Sequence, residues 1–203
     1  MNIIRFTFCA TILLAPTLSQ PQGLTKRWAD YYPLAKGNSW TYSATGKSKA
    51  RTVVWKVVNV QANASGPIFA VWPTPLPSDD SGMNLQLSPE GLRELSDDFF
   101  VLRFPLKKGN TWSKGQDRGF VIVSEGEPCV VGKLNFRMCA IVRDDDKAAK
   151  LRTVTTYAYG VGPVRYEYYK LVNGGFAREA THQLELVCYS ITPSFADSKS
   201  KSR

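Results

Sequence analysis

Histidine occurs once in this chain, as His182. A Ser/His/Asp or Cys/His centre has no other imidazole to use, and no Gly-x-Ser-x-Gly elbow is present. His182 opens an amphipathic stretch, Thr181-His182-Gln183. Cys188 follows about 20 Å further along an extended strand, too far for a dyad within that strand. His182 therefore reads as an ordinary surface histidine. Cysteine is scarce too, with four residues in 203, and their spacing makes no zinc set with one histidine. No apolar run beyond Leu18 is long enough for a membrane helix. The chain also lacks any block of charge. Its formal net charge is +9, but the cations are dispersed, from Lys47, Lys49, Arg51 and Lys56 to Lys147, Lys150 and Arg152. That pattern gives no nucleic-acid track. Carboxylates cluster as Asp79-Asp80, Asp97-Asp98 and Asp144-Asp145-Asp146, without the Asp-x-Asp-x-Asp-Gly order of a calcium loop. The expectation is no metal, no cofactor and no catalytic set.

The chain does have an N-terminal targeting pattern. One charge, Arg5, precedes a mostly apolar run from Phe6 to Leu18. The run is too short to span a bilayer and suits a signal peptide over residues 1–19, with small residues Thr17 and Ser19 at the cut. Removing it takes away Arg5 and lowers the formal charge from +9 to +8. The expected location is secreted or periplasmic, with no transmembrane segment in the mature chain.

Ten residues occur twice. Tyr32-Pro33-Leu34-Ala35-Lys36-Gly37-Asn38-Ser39-Trp40-Thr41 returns as Phe104-Pro105-Leu106-Lys107-Lys108-Gly109-Asn110-Thr111-Trp112-Ser113, at an offset of 112 − 40 = 72. A repeat of this kind marks a fold built from two related units. Proline holds an extended approach, Gly-Asn supplies a turn, and tryptophan opens a strand as a core plug. Further segments rich in β-branched and aromatic residues read as strands: 52–60, 68–72 ended by Pro73, 120–124, 136–142, 153–159, 164–171 and 183–191. Turn chemistry separates them at Asn63 to Pro67, Gly132-Lys133, Asp144 to Asp146, Gly160 to Pro163 and Asn173 to Gly175. Ser88 to Leu95 reads as a hairpin rather than a helix, because Gly91 would cost a short helix about 1 kcal/mol. The fold expected is mainly β, an antiparallel meander forming a strongly curved sheet, half-barrel or sandwich. It forms a single β domain over 24–193, with units at about 28–98 and 99–193 and a disordered tail over 194–203.

Three cysteines remain after the leader. Cys129 and Cys139 flank the Gly132-Lys133 turn, but a two-residue turn there sets Cys129 opposite Phe136 and forbids the bridge unless the register shifts. A bridge from either to Cys188 is also open, and with three cysteines at least one thiol stays free or pairs between chains.

The strings YYPLAKGNSWTY, FPLKKGNTW and YAYGVGPVRYE resemble a loose group of uncharacterised exported bacterial β-proteins, which read YYPL-x-x-G-N-x-W-x-Y and close on YA-x-GVG-x-V. The likeness rests on Tyr32, Pro33, Leu34, Gly37, Trp40, Tyr42, Pro105, Leu106, Gly109, Trp112, Tyr157, Gly160, Gly162 and Val164. Tyr159 and Pro163 stand inside this chain's closing motif. The resemblance implies a bacterial envelope protein with a curved half-barrel and carries over no catalytic residue.

The candidate binding surface is aromatic. Alternation puts Tyr157 and Tyr159 on one side of one strand and Tyr166 and Tyr168 on one face of the next. With Arg152 and Arg165 at the ends, four rings on a concave face would suit an apolar or glycan ligand carrying a negative group, away from His182. The expected function is a non-catalytic binding or accessory component of the envelope, partnered by such a ligand or by another envelope protein. The rival readings are a carboxylate-dependent hydrolase and a structural protein-interaction module.

Overall fold

A computed structural model of the protein describes residues 28–46, 51–74 and 82–192. The expected leader, the tail and Asp79-Asp80 lie outside these residues. Among the described residues a 3-10 turn, Trp28–Tyr31, precedes thirteen strands. These are β1 (Ser39–Gly46), β2 (Arg51–Gln61), β3 (Ile68–Thr74), β4 (Met83–Ser88), β5 (Gly91–Glu94), β6 (Phe99–Arg103), β7 (Thr111–Lys114), β8 (Arg118–Val131), β9 (Leu134–Asp146), β10 (Leu151–Ala158), β11 (Gly162–Val172), β12 (Gly175–Phe176) and β13 (His182–Ser190). Twelve follow one another in the order β6-β5-β4-β3-β2-β1-β13-β11-β10-β9-β8-β7, and β12 pairs with β11. All pairs are antiparallel. The sheet is therefore two meanders, β1 to β6 and β7 to β13, joined edge to edge where β1 meets β13, and it curves into a nearly closed barrel. Phe99 to Arg103, placed by sequence with the second unit, pairs with β5 and so lies with the first meander.

Strand alternation follows the burial. Trp40, Tyr42 and Ala44 of β1 point inward, and Val57, Val71, Leu85, Leu92, Ile122, Val142, Tyr157, Leu184 and Leu186 complete the inner face. Residues 88–91 make the expected hairpin, with Ser88 opposite Gly91. Two expectations need correction. Pro73 does not end β3, which runs to Thr74. Among the described residues that strand has only β2 as a neighbour beyond the Val71–Met83 pair, so the missing N–H breaks no second ladder there. Asp144 to Asp146 are not a turn but the last three residues of β9. Alternation sends Asp144 and Asp145 to opposite faces, and each meets an arginine, Arg118 or Arg152, which offsets the repulsion expected of adjacent carboxylates.

The two decapeptides form matching corners. Gly37 and Gly109 have φ of 93° and 86°, the left-handed region that glycine tolerates. Gly37 N–H donates to Val57 O and Gly109 N–H to Ile122 O, both at 2.9 Å. Val57 and Ile122 return the bond to Asn38 O and Asn110 O, again at 2.9 Å. Each asparagine amide reaches back to the proline carbonyl, Asn38 to Pro33 at 2.7 Å and Asn110 to Pro105 at 3.0 Å. The corners differ at the proline, where the Phe104–Pro105 peptide is cis. They differ also in load. Asn38 is buried, and its Oδ1 accepts from Thr192 N–H at 2.8 Å, so it ties the first corner to the chain beyond β13. Asn38→Ala is therefore expected to cost about 2–3 kcal/mol by denaturant melt, and Asn110→Ala less than about 1 kcal/mol. Equal losses would mean that the Thr192 tie contributes nothing.

The barrel's remaining gap lies between β6 and β7. Trp112 Nε1–H donates across it to Phe100 O at 2.8 Å. Phe120 stacks on Trp112 with centroids 5.2 Å apart and on Phe99 at 5.5 Å, and the Arg118 guanidinium lies 4.1 Å over Phe99. An aromatic clasp thus stands where a backbone ladder would close the circle.

Cys129 is opposite Phe136, as the two-residue turn requires, yet it is bridged to Cys139. The register slips between Glu127–Cys139 and Cys129–Phe136, so that three residues on β9 answer two on β8. The bulge brings the two Cα atoms to 6.0 Å, within bridging range. Cys188 is a half-buried free thiol.

Candidate functional site

At one end of the barrel the first corner, 32–38, and the β10–β11 turn, 158–162, meet around an aromatic plug. Tyr31 and Trp40 are fully buried there, and Tyr32 is 5% exposed. Trp40 Nε1–H donates to Val161 O at 2.5 Å. Gly162 is obligatory beside it, because a Cβ at that position would stand 2.9 Å from Trp40 Nε1. Tyr42 O–H donates to Pro163 O at 2.8 Å.

Moving away from the plug, the inner face turns polar. Thr155 lies between Tyr166 on β11 and Val142 on β9. In the next row Thr153 lies between Tyr168 and Asp144, and His182 lies between Tyr168 and Gly46. The Tyr168 and His182 rings are 5.8 Å apart. Asp144 takes a two-pronged contact from Arg118, Nε to Oδ1 at 3.0 Å and Nη2 to Oδ2 at 2.7 Å. The partners pull in opposite directions. Burial pushes the Asp144 carboxyl up despite the Arg118 hydrogen bond. For Arg118, burial opposes the charge but the hydrogen bond and charge of Asp144 prevail, and the guanidinium is held charged. The parallel geometry decides for an ionised pair.

Five tyrosine hydroxyls sit close enough on this face to feel one another. Burial raises Tyr32, Tyr42, Tyr157 and Tyr166 well above the ordinary value of 10, and it pushes Tyr168 up to about 12. Tyr166 as a whole is half-buried, so its hydroxyl end is the part turned inward.

Three of the four tyrosines singled out from sequence share the inner face: Tyr157, Tyr166 and Tyr168. Tyr157 is only 2% exposed and belongs to the core. Tyr159 does not join them. It lies past the end of β10, where its hydroxyl donates to Asp30 Oδ2 at 2.8 Å and its ring packs edge-on against Tyr31. Arg152 and Arg165 do not flank the rings either. They point to the outer face, with Arg152 on Asp145 and Arg165 on Glu185. His182 is half-buried against Tyr168, not a surface residue apart from the tyrosines. Sequence reasoning missed Tyr32, Tyr42 and Asp144 as members of this face. Only the pairing order of β1, β13, β11, β10 and β9 assembles them.

Surface clefts among the described residues include three that these tyrosines do not line. One lies over Gly119 on β8, one beside the 64–66 turn and Ser88 to Glu90, and one along the β6–β7 gap at Arg103, Phe104 and Asn110. Among the described residues, no helix is long and apolar enough to cross a membrane.

No protein-family model and no curated protein matches the chain. Among solved structures it is similar to a protein from Bacteroides fragilis, described as exported and of YmcC-like fold. That match has 14% identity and a TM-score of 0.45, and covers 78% of this chain and 98% of that one. It is also similar to a protein from Parabacteroides distasonis described as a lipoprotein. Here identity is 12% and the TM-score 0.39, with 79% of this chain and 98% of that one covered.

Proposed function

We propose that the protein is an exported, non-catalytic binding component of the bacterial envelope, and that an apolar or glycan-like ligand meets its inner face at Tyr166, Tyr168 and His182. The observation that carries this reading is the gradient of exposure along that face. Tyr157 is shut in toward the plug, whereas Thr153, Tyr166, Tyr168 and His182 remain partly accessible at the opposite end. The accessible parts of the two rings lie beside the half-buried Thr153 hydroxyl and His182 imidazole, and an apolar surface next to polar groups is what sugar and lipid-like ligands need. Export is supported by the Arg5-to-Leu18 pattern and by the Cys129–Cys139 bridge, since such bridges persist outside the reducing cytosol. A non-catalytic role is supported by chemistry on the face itself. Its carboxylate Asp144 is committed to Arg118, and its imidazole packs on an aromatic ring.

Mass spectrometry of molecules that co-purify with protein from its native envelope tests the reading. A lipid- or glycan-class molecule is expected. Tyr168→Ala should lower its recovery at least tenfold, about 1.4 kcal/mol of binding. Unchanged recovery with Tyr168→Ala would remove the inner face as the site.

A further inference from the structure

The outer face of β7, β8 and β9 carries a cleft of about 550 Å³. Its floor is Gly119, with Ser113 of β7 and Asp145 of β9 as register neighbours, and Val121 continues the floor between Thr111 and Arg143. Gln116 and Asp117 of the β7–β8 turn stand at one end beside Lys147, whose N–H donates to Asp117 O at 2.8 Å.

Glycine within a strand weakens it, and three local reasons usually account for one: positive φ, a bulge, or a close neighbour. Gly119 has none of them. It is not among the positive-φ glycines, and its pairing on both sides is regular, the first slip in β8 falling between Ile122 and Ser124. A Cβ built on Gly119 meets nothing within 4 Å. The chain itself does not require this glycine. What the missing side chain provides is bare backbone at the bottom of a cleft, open to approach from outside.

The polar groups around it are unevenly committed. Asp145 is taken by Arg152, Nε to Oδ1 at 2.5 Å and Nη2 to Oδ2 at 3.0 Å. Arg143 comes within 3.4 Å of Asp145 Oδ2 through Nε, but that N–H is closed off from solvent and makes no hydrogen bond. Arg118 is held by Asp144 on the inner side. Arg143 and Lys147 are the cations left to the cleft, the acidic Asp117 lines its end beside Lys147, and Thr111, Ser113 and Gln116 supply hydroxyl and amide groups around the glycine floor.

We propose that this cleft binds an acidic sugar. Its carboxylate faces Arg143 and Lys147, its ring lies flat over Gly119, and its hydroxyls reach Thr111, Ser113 and Gln116. A guanidinium matches a carboxylate in plane, and a side-chain-free floor lets a ring lie against the strand. The site is separate from the tyrosine face and does not depend on it.

Calorimetric titration of the full chain with a hexuronate disaccharide tests the proposal, with a neutral glucose disaccharide and inorganic phosphate as comparisons. Saturable binding of the hexuronate is expected, at least tenfold tighter than either comparison. Gly119→Val should abolish it while leaving the melting temperature equal or higher, since valine favours strands and meets no atom there. Arg143→Gln should weaken binding tenfold or more, and Tyr168→Ala should leave it unchanged. Absence of hexuronate binding, equal binding of phosphate or of the neutral sugar, or unaltered affinity in Gly119→Val would each overturn the proposal.

Discussion

Above pH 10 the protein is expected to unfold in one steep step rather than ionise tyrosine by tyrosine. Tyr32, Tyr42, Tyr157, Tyr166 and Tyr168 all have hydroxyls raised by burial. The sign follows from linkage. Below the ordinary value both states carry the proton, and the native environment is fully tolerated. As pH rises past 10 the unfolded chain releases these protons while the folded chain retains them, so stability falls with pH. One unit above the ordinary value each such group costs about 1.4 kcal/mol, and five together about 7 kcal/mol. A domain is stable by only about 5–15 kcal/mol, so this loss is of the order of the whole. Tyrosinate absorbance and far-ultraviolet circular dichroism, followed together, should show one transition at about pH 10.5–11.5. Smooth ionisation of these tyrosines near pH 10 with the strand signal intact would contradict the burial of their hydroxyls.

Trp112→Ala is expected to cost about 3–5 kcal/mol in a denaturant melt. The indole is 7% exposed, stacks in parallel on Phe120 and provides the hydrogen bond across the β6–β7 gap. Truncation removes the packing, leaves Phe100 O without that donor and loosens the clasp. Trp112→Phe retains much of the ring and loses the N–H, and should cost about 1–3 kcal/mol. A loss below about 1 kcal/mol for the alanine variant would show that the clasp is not part of the core.

Most strands were legible from runs of β-branched and aromatic residues, and β2, β10, β11 and β13 lie where 52–60, 153–159, 164–171 and 183–191 read as strands. The paired corners were legible because Gly-Asn and the plug tryptophan are local signals. What stayed hidden depends on partners far away in sequence. Asp144 to Asp146 look like a turn until Arg118 and Arg152 are brought across the sheet to pair with them. The cysteine bridge depends on a bulge that the turn residues do not encode. Tyr159 follows the alternation on paper, but its strand ends at Ala158, and Asp30 draws the ring elsewhere. Gly119 stood just outside the strand read over 120–124, and only the fold places it within β8. Its value became clear only when no neighbour was found to need it.

The junction of β1 with β13 sets an order on events during synthesis. Ser39 pairs with Ser190, 190 − 39 = 151 residues later. The first meander can therefore assemble on the ribosome while one flank stays unpaired until nearly the whole chain has emerged. Loop closure over that span is slow, and a bare flank carrying Trp40 and Tyr42 is adhesive while it waits. Truncated nascent chains ending before β13 should therefore depend on holdase chaperones far more than the completed polypeptide does.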